Sequence, residues 1–239
     1  MNIRSAYLWE YIYDLIRYDL GFSYEHDYWS ASIASMICNT EKTLRTEEQL
    51  HKLIEGRNVL VVGAADSCIK CADVRKHFDV VIAADGAARC CLDRNVKPNV
   101  IVTDLDGLTD EYLMLNDVIY VVHVHGDNVV LLLKYLDILK KLQYVIYTVQ
   151  VYPQPSNCLR IYGGFTDGDR ASYLAYYFKA SKIGLVGFDF TGYIGRYSKP
   201  WLSSRAYPTK VKEGKLKWCE RLLKLIENVA TGDVSVEYY

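Results

Sequence analysis

Six short runs of mostly Val and Ile constrain this chain more than any other feature: NVLVVG (58–63), DVVIAAD (79–85), NVIVTD (99–104), DVIYVVHV (117–124), YVIYTVQ (144–150) and KIGLVGFDF (182–190). Each is apolar on both faces, as a strand must be when helices cover both sides of its sheet. Segments of helical character separate them, at Ser67–Lys76, Gly86–Asn95, Asp127–Leu142 and Asp169–Ala180. A strand and a helix alternating at this interval imply right-handed βαβ units. The expected fold is therefore α/β, a doubly wound, mainly parallel, Rossmann-like sheet.

Residues 1–56 read as a helical N-terminal extension. AYLWEYIYDLIRYDL spaces its aromatic and aliphatic residues three and four apart, and TEEQLHKLIEG opens on Thr46 and closes on Gly56. No motif there is tied to chemistry, which leaves a cap on the main body or a surface for a second copy in a homodimer. Residues 57–239 form the Rossmann-like domain, closed by the amphipathic helix KLKWCERLLKLIENVA (215–230). The polar, aromatic stretch 191–214 reads as a mobile loop.

With 51% hydrophobic and 24% charged residues in 239, the chain has material for one large core and no composition of disorder. A net charge of −1 offers nothing to draw it onto nucleic acid or an anionic membrane, so any phosphate is handled at a local site. No apolar run reaches the ~20 residues of a membrane span. The acidic, tyrosine-rich start is unlike a signal peptide, which makes the cytoplasm the expected location. Many tyrosines, few methionines and few glutamines hint at a thermophilic source. Of seven cysteines, Cys68 and Cys71 form a CIKC pair without the second CxxC of a zinc site or the flanking Trp and Pro of a redox motif. Buried cysteines acting as small hydrophobes are the plainer reading.

In an open parallel sheet, ligands bind outside the carboxyl ends of the strands. After the first run comes Gly63-Ala64-Ala65-Asp66-Ser67, either a close-approach turn for phosphate with Ser67 capping the next helix or an ordinary connection. The second ends in Asp85-Gly86, the third in Asp104-Leu105-Asp106-Gly107, the fourth in His125-Gly126-Asp127-Asn128. The fifth leads to Gly163-Gly164-Phe165-Thr166-Asp167-Gly168-Asp169-Arg170. A single aspartate at a helix start is a cap worth ~1 kcal/mol. Several converging on one edge repel one another unless a cation lies among them. The D-x-D of Asp104 and Asp106 is the strongest such signal and implies Mg2+ with a nucleotide, Asp127 being the third ligand.

These motifs, ADGAA…KPNVIVTDLDG, HVHGDN, GGFTDGDRA and GFDF…IGRYS, resemble in order and spacing the archaeal-type 6-hydroxymethyl-7,8-dihydropterin diphosphokinases, and more distantly thiamine pyrophosphokinase. The resemblance covers about three quarters of the chain, from Val59 to the last helix. HAHGDN is HVHGDN here, and Ala64-Ala65 replaces a glycine-proline. The resemblance implies transfer of diphosphate from ATP to the hydroxymethyl oxygen of a reduced pterin, releasing AMP, in a folate-like or methanopterin-like pathway.

On that basis Asp104, Asp106 and Asp127 are expected at Mg2+, with Asp85 as a further ligand or water-holder, and His125 at phosphate. Gly63, Ser67, Arg89, Asn128, Arg170, Arg196 and Lys199 are phosphate candidates. His123, Phe165, Thr166, Asp167 and Asp169 are candidates for the acceptor, with two plainer alternatives open: a core role for His123, and an ion pair between Arg170 and the loop acids. Rival functions are a thiamine-type acceptor, a sugar-nucleotide glycosyltransferase, or a nucleotide-binding module without chemistry.

Overall fold

The computed structural model describes residues 3–153, 156–199, 201–229 and 234–239. It opens with three helices, α1 (Ile3–Leu20), α2 (Tyr24–Ile37) and α3 (Thr40–Ile54). Then come β1 (Asn58–Val62), α4 (Cys71–Val74), β2 (Val80–Ala84), α5 (Ala87–Asp93), β3 (Val100–Thr103), α6 (Asp110–Leu113) and β4 (Ile119–Val124). The chain continues through α7 (Val129–Lys134), α8 (Leu136–Lys141), β5 (Val145–Val149), β6 (Leu159–Arg160) and α9 (Asp167–Tyr177). It closes with β7 (Lys182–Val186), α10 (Lys210–Val229) and β8 (Ser235–Tyr238).

The strands lie in the order β6-β5-β4-β3-β2-β1-β7-β8, and each pairs with its neighbours in parallel. The sheet is α/β as expected, and wholly rather than mainly parallel. Its register aligns like faces: Val61 sits beside Ile82, Val102 beside Val121, and Val121 beside Ile146. These side chains bury against Leu50 and Ile54 of α3, Leu174 of α9 and Leu223 of α10. The alternate set, Leu60, Val81, Ile101 and Val122, buries against Ala87 of α5, Leu132 of α7, Leu139 of α8 and Ile16 of α1. The period of two thus explains why each run is apolar throughout: both faces have a helical layer to meet.

Several local expectations are corrected. The helix containing Thr46 starts at Thr40, where Asn39 accepts a hydrogen bond from the Lys42 N–H at 2.8 Å; Thr46 is buried within it and donates to the Lys42 carbonyl. The first crossover is a broken helix, a 3-10 turn at Asp66–Lys70, then α4, then a second turn at Arg75–His77. Ala65, not Ser67, holds the capping position. The helix expected over 127–142 divides into α7 and α8 at Tyr135. The last helix starts at Lys210 rather than Lys215, and its expected final residue, Ala230, lies outside the described residues. Two edge strands, β6 and β8, went unforeseen: one is only two residues long, and the other, SVEY, is half polar and exposed. Four cysteines pair as Cys38–Cys158 and Cys68–Cys90, splitting the CIKC pair; Cys71, Cys91 and Cys219 are buried thiols.

Among the described residues, no helix is long and apolar enough to cross a membrane. The chain adds strands outward from β1 to β6, then crosses back to place β7 on the other flank of β1. The direction of winding reverses there, and loops on either side of such a point splay apart to leave a crevice.

Leu50 and Ile54 are fully buried against the sheet, so α3 is part of its packing. Leu50→Ala is expected to lower unfolding free energy by about 2–5 kcal/mol, measured by the denaturant midpoint at unchanged slope.

Candidate active site

The first residue past each central strand forms a row. In sheet order from β7 to β5 these are Gly187, Gly63, Asp85, Asp104, His125 and Gln150, and all six line one cleft of about 370 Å³. That volume suits a small-molecule site. Phe22 of the α1–α2 connection and His26 and Asp27 of α2 close it on one side, and Lys212 and Lys215 face it from α10.

At the centre, Asp85, Asp104 and Asp167 bring carboxylate oxygens within 4.8 Å of one another. The backbone is bent to do this. Asp85 has φ 49° and Leu105 φ 73°, in the left-handed region that non-glycine residues seldom occupy. Leu105 is buried, so its turn sends the flanking Asp104 and Asp106 to the cleft. Gly107 lets the loop close on Asp85, for a Cβ there would lie 1.7 Å from the Asp85 Oδ2. Thr103 Oγ1 donates to Asp85 Oδ1 at 2.7 Å, and the Gly107 N–H approaches the same oxygen at 3.3 Å.

Burial, then the charges of Asp104 and Asp106, push the Asp85 carboxyl up to about 7. Asp167 is likewise raised by burial and by the neighbouring carboxylates Asp104 and Asp85. Burial also works to raise Asp104, but the hydrogen bond and charge of His125, with Lys199 assisting, prevail and hold it well below the usual range. His125 Nε2 lies 3.4 Å from Asp104 Oδ2. The cluster therefore combines one firm anion with two carboxyls that resist ionising beside it. Asp106, outside the set of three, is hydrogen-bonded to Asp104 and ion-paired with Lys199.

The HGDN loop is held by Asn128. Its side-chain amide donates to the carbonyls of Asp104 (2.9 Å) and His123 (2.7 Å), while its oxygen accepts the His125 N–H at 2.9 Å. This one side chain ties the end of β4 to the DLD loop of β3. Asp27 on α2 accepts the Gly126 N–H at 2.7 Å and the Tyr13 hydroxyl, fixing the loop from the other side. Asp127 is exposed, on the rim of the cleft, and lies outside the three-carboxylate cluster of Asp85, Asp104 and Asp167. His123 is buried on β4 with Nδ1 3.0 Å from Thr148 Oγ1; burial and the Arg170 charge press its pKa well below 6.5, keeping the ring neutral.

In the fourth loop, Thr166 and Asp169 make a capping box at the start of α9, and Asp169 also accepts the Phe165 N–H at 2.6 Å. Asp169 is fully buried in that role. Arg170 Nη1 lies 3.5 Å from Asp167 Oδ1, the intraloop ion pair left open by the sequence.

Of the residues singled out from sequence, Gly63, Asp85, Asp104, Asp106, His125, Asp127, Phe165, Thr166, Asp167, Arg170 and Lys199 line the cleft. Gly63 packs against the Gly187 carbonyl, where a Cβ would come within 2.5 Å. Ser67, Arg89, His123, Asn128 and Asp169 are not on the cleft wall. Arg89 instead donates to the Arg196 carbonyl at 2.6 Å and lies over the Tyr197 ring. Sequence reasoning missed Phe22, His26, Asp27, Gln150, Lys212 and Lys215. The adjacent polar pair His26-Asp27 in an aromatic helix was a usable signal; Gln150, at the end of a strand, was not.

The family model described as "6-hydroxymethylpterin diphosphokinase MptE-like" matches residues 34–194. The chain belongs to this family. The matched span contains Asp85, the DLD loop, HGDN and the loop through Arg170. Three curated relatives carry the name 6-hydroxymethyl-7,8-dihydropterin pyrophosphokinase. That of Methanocaldococcus jannaschii is 36% identical over 232 residues, covering 92% of this chain and 95% of its own. That of Pyrococcus furiosus is 35% identical over 224 residues (92% and 93%), and that of Methanothermobacter thermautotrophicus 36% over 236 (96% and 97%). Similarity to these diphosphokinase-family proteins therefore extends over the N-terminal helices and α10, which supply the outer walls of the cleft.

Because Asn128 is buried and satisfies three backbone groups at once, Asn128→Ala is expected to cost about 2–4 kcal/mol of stability. Chemical denaturation monitored by circular dichroism checks it.

Proposed function

We propose that this chain transfers the diphosphoryl group of ATP to the hydroxymethyl oxygen of 6-hydroxymethyl-7,8-dihydropterin, releasing AMP, with Mg2+ held at the three-carboxylate cluster. The observation that carries the reading is the convergence of Asp85, Asp104 and Asp167 within 4.8 Å at the base of a cleft whose other walls present Arg170, Lys199, Lys212 and Lys215. Acids alone would repel a polyphosphate, and bases alone would need no acids. Both together suit a phosphate–cation complex. The names of the three relatives support the acceptor.

The donor set fits Mg2+: hard carboxylate oxygens, with Asp104 already ionised and Asp85 and Asp167 ready to lose protons to a cation. The chemistry supplied by Mg2+ when bound is charge neutralisation between phosphate oxygens. In the reaction, the hydroxymethyl oxygen bonds to the β-phosphorus and its proton is released to solvent. The bond from that phosphorus to the oxygen bridging to the α-phosphorus breaks, and AMP leaves. The protein's part is to hold the two reactants in line and to stabilise charge that moves onto the leaving group. Lys199, whose charge burial opposes but Asp106 preserves, sits beside the acid cluster on the segment after β7. Arg170, Lys212 and Lys215 are the other Lys and Arg side chains of the cleft wall among the described residues.

Purified protein with ATP, Mg2+ and the dihydropterin is expected to form AMP and the diphosphate ester; release of ADP would refute the transfer. Asp104→Asn is expected to lower kcat by about 100-fold or more, measured by AMP release. A second expectation concerns pH. Asp85 releases its proton near pH 7 when folded and near pH 3.8 when unfolded, so its contribution to cation-free stability falls as pH rises between those values. A bound cation reverses that penalty. The rise in Tm on adding Mg2+ is therefore expected to be larger at about pH 8 than at about pH 5.5, and an equal rise would count against Asp85 as a ligand.

A further inference from the structure

The row of residues along the sheet edge changes character from one end to the other. At β7 and β1 it has glycine, at β2 and β3 aspartate, at β4 histidine, and at β5 Gln150. Gln150 is 3% exposed and lies between the cleft and a small void lined by His123, Thr148 and Arg170; its Nε2 and Oε1, closed to solvent, have no hydrogen-bond partner among the described residues, so a side-chain rotation would turn the amide to the cleft. Burying an amide with both ends unsatisfied is costly, and natural interiors rarely tolerate it without a purpose. The same cleft is lined by Phe22 and Phe165, an aromatic corner with ring centroids 5.9 Å apart and planes tilted by 47°. The Lys215 ammonium lies 5.3 Å and 6.0 Å from those two centroids and interacts electrostatically with Asp104.

We propose that the fused heteroaromatic ring of the acceptor binds at the carboxyl ends of β4 and β5, against Phe22 and Phe165, with the Gln150 amide pairing with its lactam edge. This rests on the diphosphotransferase reading above. A lactam offers an N–H donor next to a carbonyl acceptor, the complement of a primary amide. An adenine edge also offers a donor next to an acceptor, so the amide alone does not choose between acceptor and nucleotide. Position does. In an open α/β sheet, nucleotides lie where the winding reverses, which here is between β1 and β7, at the glycine end of the row. With strands spaced about 4.8 Å apart, Gln150 stands roughly 10 Å from the carboxylates of β3. That is the reach of a bicyclic ring whose one-carbon arm points at the transferring phosphorus. Lys215, between the aromatic corner and Asp104, is then beside the new oxygen–phosphorus bond.

The test is steady-state kinetics on Gln150→Leu and Phe22→Leu with both substrates varied, together with thermal unfolding of each variant and calorimetric titration with 6-hydroxymethylpterin. KM for the dihydropterin is expected to rise about 10-fold or more in Gln150→Leu, with KM for ATP unchanged and Tm equal to or above that of the parent protein. Phe22→Leu is expected to weaken 6-hydroxymethylpterin binding in the titration. A rise in KM for ATP instead would put the adenine at this end and overturn the proposal. So would an active parent enzyme whose pterin KM neither variant alters. A parent enzyme that forms no AMP from the pterin would refute the underlying reading itself.

Discussion

Mutual repulsion among three carboxylates is the constraint that the rest of the site answers to. Asp85, Asp104 and Asp167 come from three separate loops, and nothing local makes their meeting favourable. One stays ionised because His125 and Lys199 favour its charge; the other two are raised towards neutrality. On the proposed function, a site that stores like charge in this way would take a cation together with the anion that accompanies it.

Holding such a cluster demands a stiff frame, and the structure supplies it with backbone polar groups rather than with mass. Two residues adopt left-handed backbone, a glycine admits the Asp85 carboxylate, and Asn128 fastens one loop to the next. Asp169 spends its whole carboxylate on the start of α9. Of these, Leu105, Gly107, Asn128 and Asp169 do not line the cleft, yet without them Asp104 and Asp167 would have no fixed geometry. The N-terminal helices belong to the same frame. Asp27 grips the Gly126 N–H, and α3 buries Leu50 and Ile54 against the sheet.

Much of the fold was legible in the chain because a parallel strand buried on both faces must be apolar throughout, and six segments were. β6 and β8 were not legible. Edge strands need no such pattern, and β8 owes its place to pairing with β7 and to Lys182 reaching Glu237. Among site residues, the aspartates following β2 and β3 stood out, since an acid directly past a buried strand faces the ligand edge. The roles within GDN and DGDR did not. A helix-start aspartate has one appearance in sequence whether it caps, as Asp169 does, joins the acid cluster, as Asp167 does, or stands in solvent on the rim, as Asp127 does.

The sequence by itself determined the α/β architecture, the strand edge that carries the candidate site and the family resemblance, because these follow from periodicity and from motifs contiguous along the chain. Tertiary structure alone decided which carboxylates meet, that Lys212 and Lys215 of α10 and Phe22 of the N-terminal segment face the same cleft, and that Gln150 is buried with its amide unpaired. Those facts depend on distances between residues far apart in sequence. Strand order and loop geometry set such distances, and no local pattern encodes them.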